Sequence, residues 1–187
     1  VFPRVMSLEK ILKAYRPGDI TTLSTANPRK PGKILIAIHL FYEDMLPEFI
    51  GYLKNIPYEF DIAITLTEHS SFPADQILKE QLPKCRKVHQ AHAKNFGRDI
   101  GPFLVEFGML CMQYDYICKF HTKKDLSGGG AAWRSLALRN MLGSEQLVRN
   151  ILAEFEKNPS TGMIYPRPPL VALSAVLDRG AWGGNLE

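Results

Sequence analysis

The sequence predicts an α/β domain built on an open, mostly parallel β-sheet with helices on both faces. Two continuous apolar runs rich in β-branched residues, at residues 33–42 and 59–67, are typical of strands buried on both faces. Segments with apolar residues at helical spacing alternate with such runs, which is the pattern of βαβ units. The chain has 187 residues, of which 45% are hydrophobic, enough for one sizeable core.

The individual elements follow from the same patterns. Strands are predicted at residues 33–42, 59–67, 85–93, 114–122 and 161–166. Helices are predicted at residues 43–56, 71–83, 103–113, 131–142 and 144–158, the last with Ser144 as its N-cap. Helical spacing assigns two stripes to the core, Met109, Leu110 and Met112, and Leu147, Ile151 and Phe155. Residues 1–32 are expected to form an N-terminal helix and a linker, and residues 33–187 the main domain.

Composition excludes several classes of protein. The net charge of +4, without a long Lys/Arg run, is too weak to predict a nucleic-acid-binding protein. Three cysteines without a CxxC pair argue against a disulfide framework and indicate a reducing, cytoplasmic setting. No apolar run approaches the ~20 residues of a transmembrane helix, and the first residues do not form a signal peptide.

The turn NFGRDIGP follows the third predicted strand. Ligands of open parallel sheets bind at the carboxyl ends of the strands. Gly97 permits a close approach to a ligand, Arg98 offers a planar fork for phosphate, and Asp99 can accept from ribose hydroxyls or cap the next helix. Asn95 belongs to the same turn. The alternative is an N-capped turn whose charged residues form a surface pair.

A cationic cluster, HTKKD, ends the fourth predicted strand. His121, Lys123 and Lys124 can neutralise phosphate oxygens, and His121 can also act as a general acid or base. The alternative is a solvated, charged turn. Zinc binding by the five histidines is disfavoured, since no HExxH occurs and the spacing of His89 and His92 does not place both on one strand face.

Three further groups are candidates for nucleotide contacts. The loop LSGGGAAWR has the glycines of a mobile lid, which would bring Trp133 and Arg134 to a ligand. Phe41 lies at the end of the first strand and can stack on a base or pack on the first helix. Thr67 ends the second strand.

Four segments in this order carry a resemblance to a known family: IAIHLFYEDMLPEFIGYLKNIPYEFDIAITL, NFGRDIGPFL, YDYICKFHTKKD and WRSLALRNMLGS. Together, over about residues 33–166, they resemble the rhamnan synthesis protein F family of bacterial polysaccharide and lipopolysaccharide assembly. The resemblance implies a GT-A-like nucleotide-sugar-binding domain and a glycosyltransferase, with transfer of L-rhamnose from dTDP-rhamnose to a glycan or lipid-linked glycan. It also implies that the motif residues are Asn95, Gly97, Arg98, Asp99, His121, Lys123, Lys124, Trp133 and Arg134.

The cationic cluster stands where ordinary GT-A enzymes have the Asp-x-Asp that holds a metal ion. The sequence therefore predicts metal-independent diphosphate binding, with Asp99 and Asp125 as the remaining candidates for Mg²⁺ or Mn²⁺ ligands. The acceptor side is expected to be truncated. The leading expectation remains a transferase, of which this fragment can bind donor even without turnover, and the alternative is a non-catalytic nucleotide- or glycan-binding module of a synthase complex. Asp178, Asn185 and Glu187 are the late polar candidates for a catalytic base. The expected location is cytoplasmic, either free or peripheral at the inner face of the membrane.

Overall fold

The computed structural model describes residues 31–94, 96–122 and 130–166. Its sheet has four strands, β1 (Ile34–Leu40), β2 (Phe60–Thr67), β3 (Cys85–Ala93) and β4 (Tyr116–His121), in the order β3-β2-β1-β4. The helices in these ranges are α1 (Leu46–Leu53), α2 (Ala74–Gln81), α3 (Ile100–Cys111), α4 (Gly130–Leu142) and α5 (Glu145–Lys157). All three strand pairings are parallel. The prediction of an α/β fold with a mostly parallel open sheet is confirmed.

The strand order reverses direction between β1 and β4. The chain steps from β1 to β2 and from β2 to β3 in one direction, and then crosses back through α3 to place β4 on the other side of β1. Parallel crossovers are right-handed, so helices that serve opposite directions lie on opposite faces of the sheet. The carboxyl ends of β1 and β4 therefore form a topological switch point, the place where open α/β sheets bind ligands.

The two faces of the sheet are covered by different helices. The side chains of Ile36 and Ile38 pack with α1, α2, α4 and α5 in the larger core. On the other face, Leu35 and Ala37 pack against Phe107 of α3. Because β1 is buried along its whole length, it has no polar alternation, as expected for a strand covered on both sides. Each fully buried aliphatic or aromatic side chain contributes about 1.5–3 kcal/mol.

Strong local sequence signals determine where two of the helices begin. Pro47 lies in the first turn of α1, where its missing N–H costs no hydrogen bond. The Ser144 hydroxyl accepts a hydrogen bond from the backbone N–H of Leu147 at 3.2 Å, so its prediction as the N-cap of α5 is confirmed. The predicted third and fourth strands and the five helices all exist, with ends shifted by a few residues.

The predicted fifth strand, at residues 161–166, is wrong. These residues have no regular secondary structure, and Met163 is 77% exposed. The apolar run is only three residues long, between Gly162 and Pro166, and proline has no N–H for a strand ladder. So short a run without a core to cover does not form a strand.

The assignment of Met109 and Met112 to the core is also wrong. Each is 78% exposed on α3, whereas Phe107 is buried and Leu110 is partly buried against the sheet. Because α3 is apolar nearly all the way round, helical spacing does not indicate which side faces the sheet. In the other stripe Ile151 is buried, and Leu147 and Phe155 are half-buried.

Four of the predicted segments lie wholly or partly outside the described residues: the N-terminal helix, the linker as far as residue 30, residues 126–129 of the lid loop, and the main domain after Pro166. Among the helices that are described, none has the length and apolar character needed to cross a bilayer.

Candidate functional site

A row of polar side chains crosses the switch point on the face covered by α3. Thr65 of β2 pairs in register with His39 of β1, and His39 pairs with His121 of β4. Side chains of register partners in a sheet lie on the same face. His39 and Thr65 are buried, and the His39 Nδ1 lies 2.8 Å from the Thr65 hydroxyl. On β1 and β2 these polar residues lie between apolar neighbours.

Asp99 lies over this row from the turn before α3. Its Oδ2 atom forms an ion pair with the Lys119 ammonium and lies 3.4 Å from the His121 Nδ1. Burial raises the pKa of Asp99, but the hydrogen bond from Lys119 and the charges of His121 and Lys119 outweigh it, so the net pKa is lowered. Asp99 is therefore an ionised carboxylate that contacts the Lys119 ammonium and the His121 imidazole of β4.

The turn that presents Asp99 has an unusual backbone. Gly97 has φ +72° and Arg98 has φ +53°, and a left-handed conformation in a non-glycine residue is uncommon. The Gly101 N–H donates to the Gly97 carbonyl oxygen at 2.9 Å and closes the turn. Asp99 occupies the N-cap position of α3, but its side chain makes no capping hydrogen bond. The turn thus points the carboxylate to β4 and leaves Arg98 exposed to solvent.

Thr122, the second residue of HTKKD, joins the ends of β1 and β4. Its N–H donates to the His39 carbonyl oxygen at 3.0 Å. Its hydroxyl oxygen accepts hydrogen bonds from the backbone N–H groups of Phe41 at 2.9 Å and Tyr42 at 3.0 Å. Thr122 is buried, so these bonds satisfy donors that the end of β1 would otherwise leave without a partner.

Comparison with known proteins decides the family. The sequence profile of the rhamnan synthesis protein F family matches residues 8–179. The chain belongs to this family. Searches of curated proteins and of solved structures found no match. Membership in the rhamnan synthesis protein F family relates the chain to polysaccharide biosynthesis.

The structure brings some of the predicted site residues of this family member together. Gly97, Arg98 and Asp99 lie in one turn, and His121 contacts Asp99. Phe41 is half-buried at the end of β1, with its ring centroid 6.4 Å from that of His39.

The structure gives the other predicted residues different contacts or does not describe them. Thr67 ends β2 two residues after Thr65, and its carbonyl oxygen accepts a hydrogen bond from the Ser70 N–H. Arg134 of α4 forms an ion pair with Glu48 of α1, with 2.7 Å between Nε and Oε2, on the sheet face opposite α3. The remaining candidates, Asn95, Lys123, Lys124, Asp125, Asp178, Asn185, Glu187 and the side chain of Trp133, lie outside the described residues.

Sequence reasoning missed Lys119. His39, Thr65 and Thr122 lie at the strand ends where ligands were expected, but no role was assigned to them. A signal existed for Lys119, since residues two apart on a strand share a face and Lys119 precedes His121 by two. His39 is the one polar residue of β1, and Thr65 lies between two apolar residues of β2; a polar residue in a buried strand needs a hydrogen-bond partner. Their partnership depends on strand register, which no local pattern provides.

A second buried carboxylate lies at the opposite, amino end of the sheet. Asp61 accepts hydrogen bonds from the Arg86 guanidinium at 3.2 and 3.3 Å and from the Tyr114 hydroxyl at 2.7 Å. Burial and the bond to Asp61 raise the pKa of Tyr114 to about 12. These groups satisfy one another far from the switch point, so they stabilise the start of β2.

Among residues 31–94, 96–122 and 130–166, no group of three or more His, Cys, Asp and Glu side chains is arranged to hold a metal ion.

The protonation of His39 should make stability depend on pH. Burial lowers the pKa of His39 from 6.5, His121 and Lys119 lower it further, and Asp99 opposes them. Below pH 6.5 His39 therefore binds a proton in the unfolded chain but stays neutral in the folded protein. The free energy of unfolding falls as the pH falls towards the lowered pKa. The pKa of Asp99 is lowered from 3.8, so stability from that group is lost only as the pH falls below 3.8.

Denaturant unfolding at about pH 7.5 and about pH 5 measures this effect, because His39 titrates within that interval in the unfolded chain and Asp99 titrates below it. We expect the wild type to be less stable at the lower pH, and His39→Gln to lose less stability over the same interval. His89→Gln is the matched control, because His89 also has a lowered pKa but is less buried. An undiminished pH dependence in His39→Gln would show that the buried imidazole does not cause it.

Proposed function

We propose that this protein is a glycosyltransferase that moves a sugar, L-rhamnose from dTDP-rhamnose, onto a cell-surface polysaccharide or lipopolysaccharide. The observation that carries the proposal is the polar cluster at the β1/β4 switch point of a rhamnan synthesis protein F family member. Open parallel sheets bind nucleotides at such points, because the strand ends and the crossing helix leave a crevice there.

The nucleotide would lie across the carboxyl edge of the sheet. Phe41 is half-buried beside His39 and has a ring for a base to stack on. Arg98 is exposed and has a left-handed backbone conformation, and it lies in the turn after β3, at the same edge of the sheet. Lys123 and Lys124 continue the chain directly from Thr122, so they start within one or two residues of the switch point.

Positive charge would stabilise the departing diphosphate. The acceptor hydroxyl attacks the anomeric carbon, and the bond from that carbon to the diphosphate oxygen breaks with inversion. Arg98, Lys123 and Lys124 are the cations that would neutralise the leaving group. Asp99 is already engaged with Lys119 and His121, and this supports diphosphate binding without a metal ion on that carboxylate.

Calorimetric titration with dTDP, UDP and GDP, each with Mg²⁺ and with EDTA, tests the proposal. We expect dTDP to bind with the same affinity under both conditions. Removal of one phosphate-neutralising charge should weaken binding by about tenfold, or ~1.4 kcal/mol. Lys123→Ala removes one such charge. Arg98→Asn removes another, and asparagine tolerates the left-handed backbone.

Lys54→Ala is the control for charge, since Lys54 is exposed after α1 at the opposite end of the sheet. It should leave affinity unchanged. Binding that disappears with EDTA and returns with Mg²⁺ would contradict metal independence. Binding without sugar transfer from dTDP-rhamnose to a rhamnan acceptor would indicate a nucleotide-binding module, and absence of binding would contradict the nucleotide site.

A further inference from the structure

The contact between Asp99 and His121 suggests a division of roles within the cluster. We propose that His121 is the catalytic base that takes the proton of the acceptor hydroxyl, and that Asp99 is the positioning residue that orients its imidazole. This inference rests on the proposed glycosyltransferase function. It assigns the base to β4, within the described residues.

The orientation of the imidazole supports this role. The His121 Nδ1 lies 3.4 Å from the Asp99 carboxylate oxygen. A carboxylate accepts hydrogen bonds only, so in neutral His121 the proton belongs on the Nδ1 that faces it. The lone pair then resides on Nε2, and this tautomer is the one in which a histidine acts as a base.

The charges around His121 favour a base over a phosphate ligand. Asp99 is ionised and half-buried, and an anion beside an imidazolium partly cancels the attraction of that imidazolium for phosphate. Lys119 balances the charge of Asp99 from the same strand as His121. His39 on the neighbouring strand has a lowered pKa and is neutral near pH 7, so it adds no charge to the row.

The carboxylate is held in place from several sides. The turn is closed by the hydrogen bond from Gly101 to Gly97, and α3 begins at the next residue after Asp99. Lys119 is fixed in turn over the Phe103 ring, 5.8 Å from its centroid. A positioning residue needs such support, because a base that moves by about 1 Å loses much of its effect.

The proposed step balances in atoms and electrons. The acceptor O–H bond breaks, and its proton goes to the Nε2 of His121. The oxygen forms a bond to the anomeric carbon, and the electron pair of the breaking carbon–oxygen bond leaves with the nucleoside diphosphate. The negative charge of Asp99, whose Oδ2 lies 3.4 Å from Nδ1, stabilises the imidazolium that forms.

Two measurements on the chain test the inference. Nitrogen-15 NMR of the imidazole should find the proton of neutral His121 on Nδ1, and a mixture of tautomers in Asp99→Asn. His121→Gln should lower kcat by about 100-fold or more, as expected for the loss of a general base, and leave dTDP affinity within about threefold. His89→Gln, on β3 outside the row, is the control and should retain kcat.

The pH dependence of kcat gives a third readout. The titratable groups near His121 are Asp99 in the turn before α3, Lys119 on β4 and His39 on β1. Asp99→Asn should move the acid limb to lower pH, because loss of the anion disfavours the imidazolium.

His121→Gln with kcat within about tenfold of the wild type would overturn the base but leave the glycosyltransferase intact. If His121→Gln lost dTDP affinity in parallel with kcat, His121 would be a phosphate ligand, and its role as catalytic base would also be overturned. A proton on Nε2 would overturn the positioning role of Asp99. A wild-type protein that transfers no sugar would overturn both proposals.

Discussion

Replacing Thr122 by valine should lower the free energy of unfolding by about 2–3 kcal/mol, because two backbone N–H groups lose their acceptor at once. The Thr122 hydroxyl oxygen accepts from Phe41 and from Tyr42 and is buried between β1 and β4. Valine has nearly the same shape, so no cavity contributes to the loss. The change therefore isolates the hydrogen bonds that close the switch point.

Denaturant unfolding measures the loss, and amide hydrogen exchange locates it. Exchange should accelerate at Phe41 and Tyr42 more than in the centre of β2. Thr122→Ser is the matched control, since it keeps the oxygen and loses only one methyl group, worth about 0.8 kcal/mol. If valine and serine were equally destabilising, the methyl group and not the hydroxyl would account for the role of Thr122.

Gly101→Ala should also destabilise the protein strongly, by about 1–3 kcal/mol, which is typical of an added methyl group in a site without space. A Cβ atom at Gly101 would overlap the backbone carbonyl oxygen of Phe96. Because this oxygen belongs to the backbone, it cannot move aside as the end of a flexible side chain can. The turn would have to shift, and Asp99 with it. We therefore expect loss of stability together with a change in the imidazole resonances of His121.

Gly108→Ala is the control in the same helix. Nothing lies within 4 Å of a Cβ atom at Gly108, so alanine fits there. Because alanine favours helices over glycine by about 1 kcal/mol, this variant should be as stable as the wild type or more so. Thermal unfolding of the pair distinguishes a steric effect from a general one. Equal destabilisation by both substitutions would contradict the proposed overlap at Gly101.

Much of the fold was predictable because its signals are local. The runs of β1 and β2 are mostly apolar and rich in β-branched residues, so burial on both faces could be predicted from the residues alone. Ser144 was a predictable N-cap because its partner, Leu147, lies three residues away. Residues 161–166 resembled a strand in the same local way, but no neighbouring surface was present to cover Met163.

The candidate site was predictable only in part. Gly97, Asp99 and His121 were recognisable because turns after strands are where ligands bind. Lys119 was not recognised and His39 was assigned no role, since their importance comes from partners on other elements of the fold. Lys119 is 20 residues from Asp99 in sequence, and Thr122 is 81 from Phe41.

The α/β class, the alternation of strands and helices and the family can be predicted from residue types and short spacings. The order β3-β2-β1-β4 and the pairing of Asp99 with Lys119 and His121 emerge only when distant segments come together. The tertiary structure also decides that Met109 and Met112 face outwards from α3. The physical reason is that strand order, register and the orientation of an evenly apolar helix depend on contacts between distant segments, which no local pattern encodes.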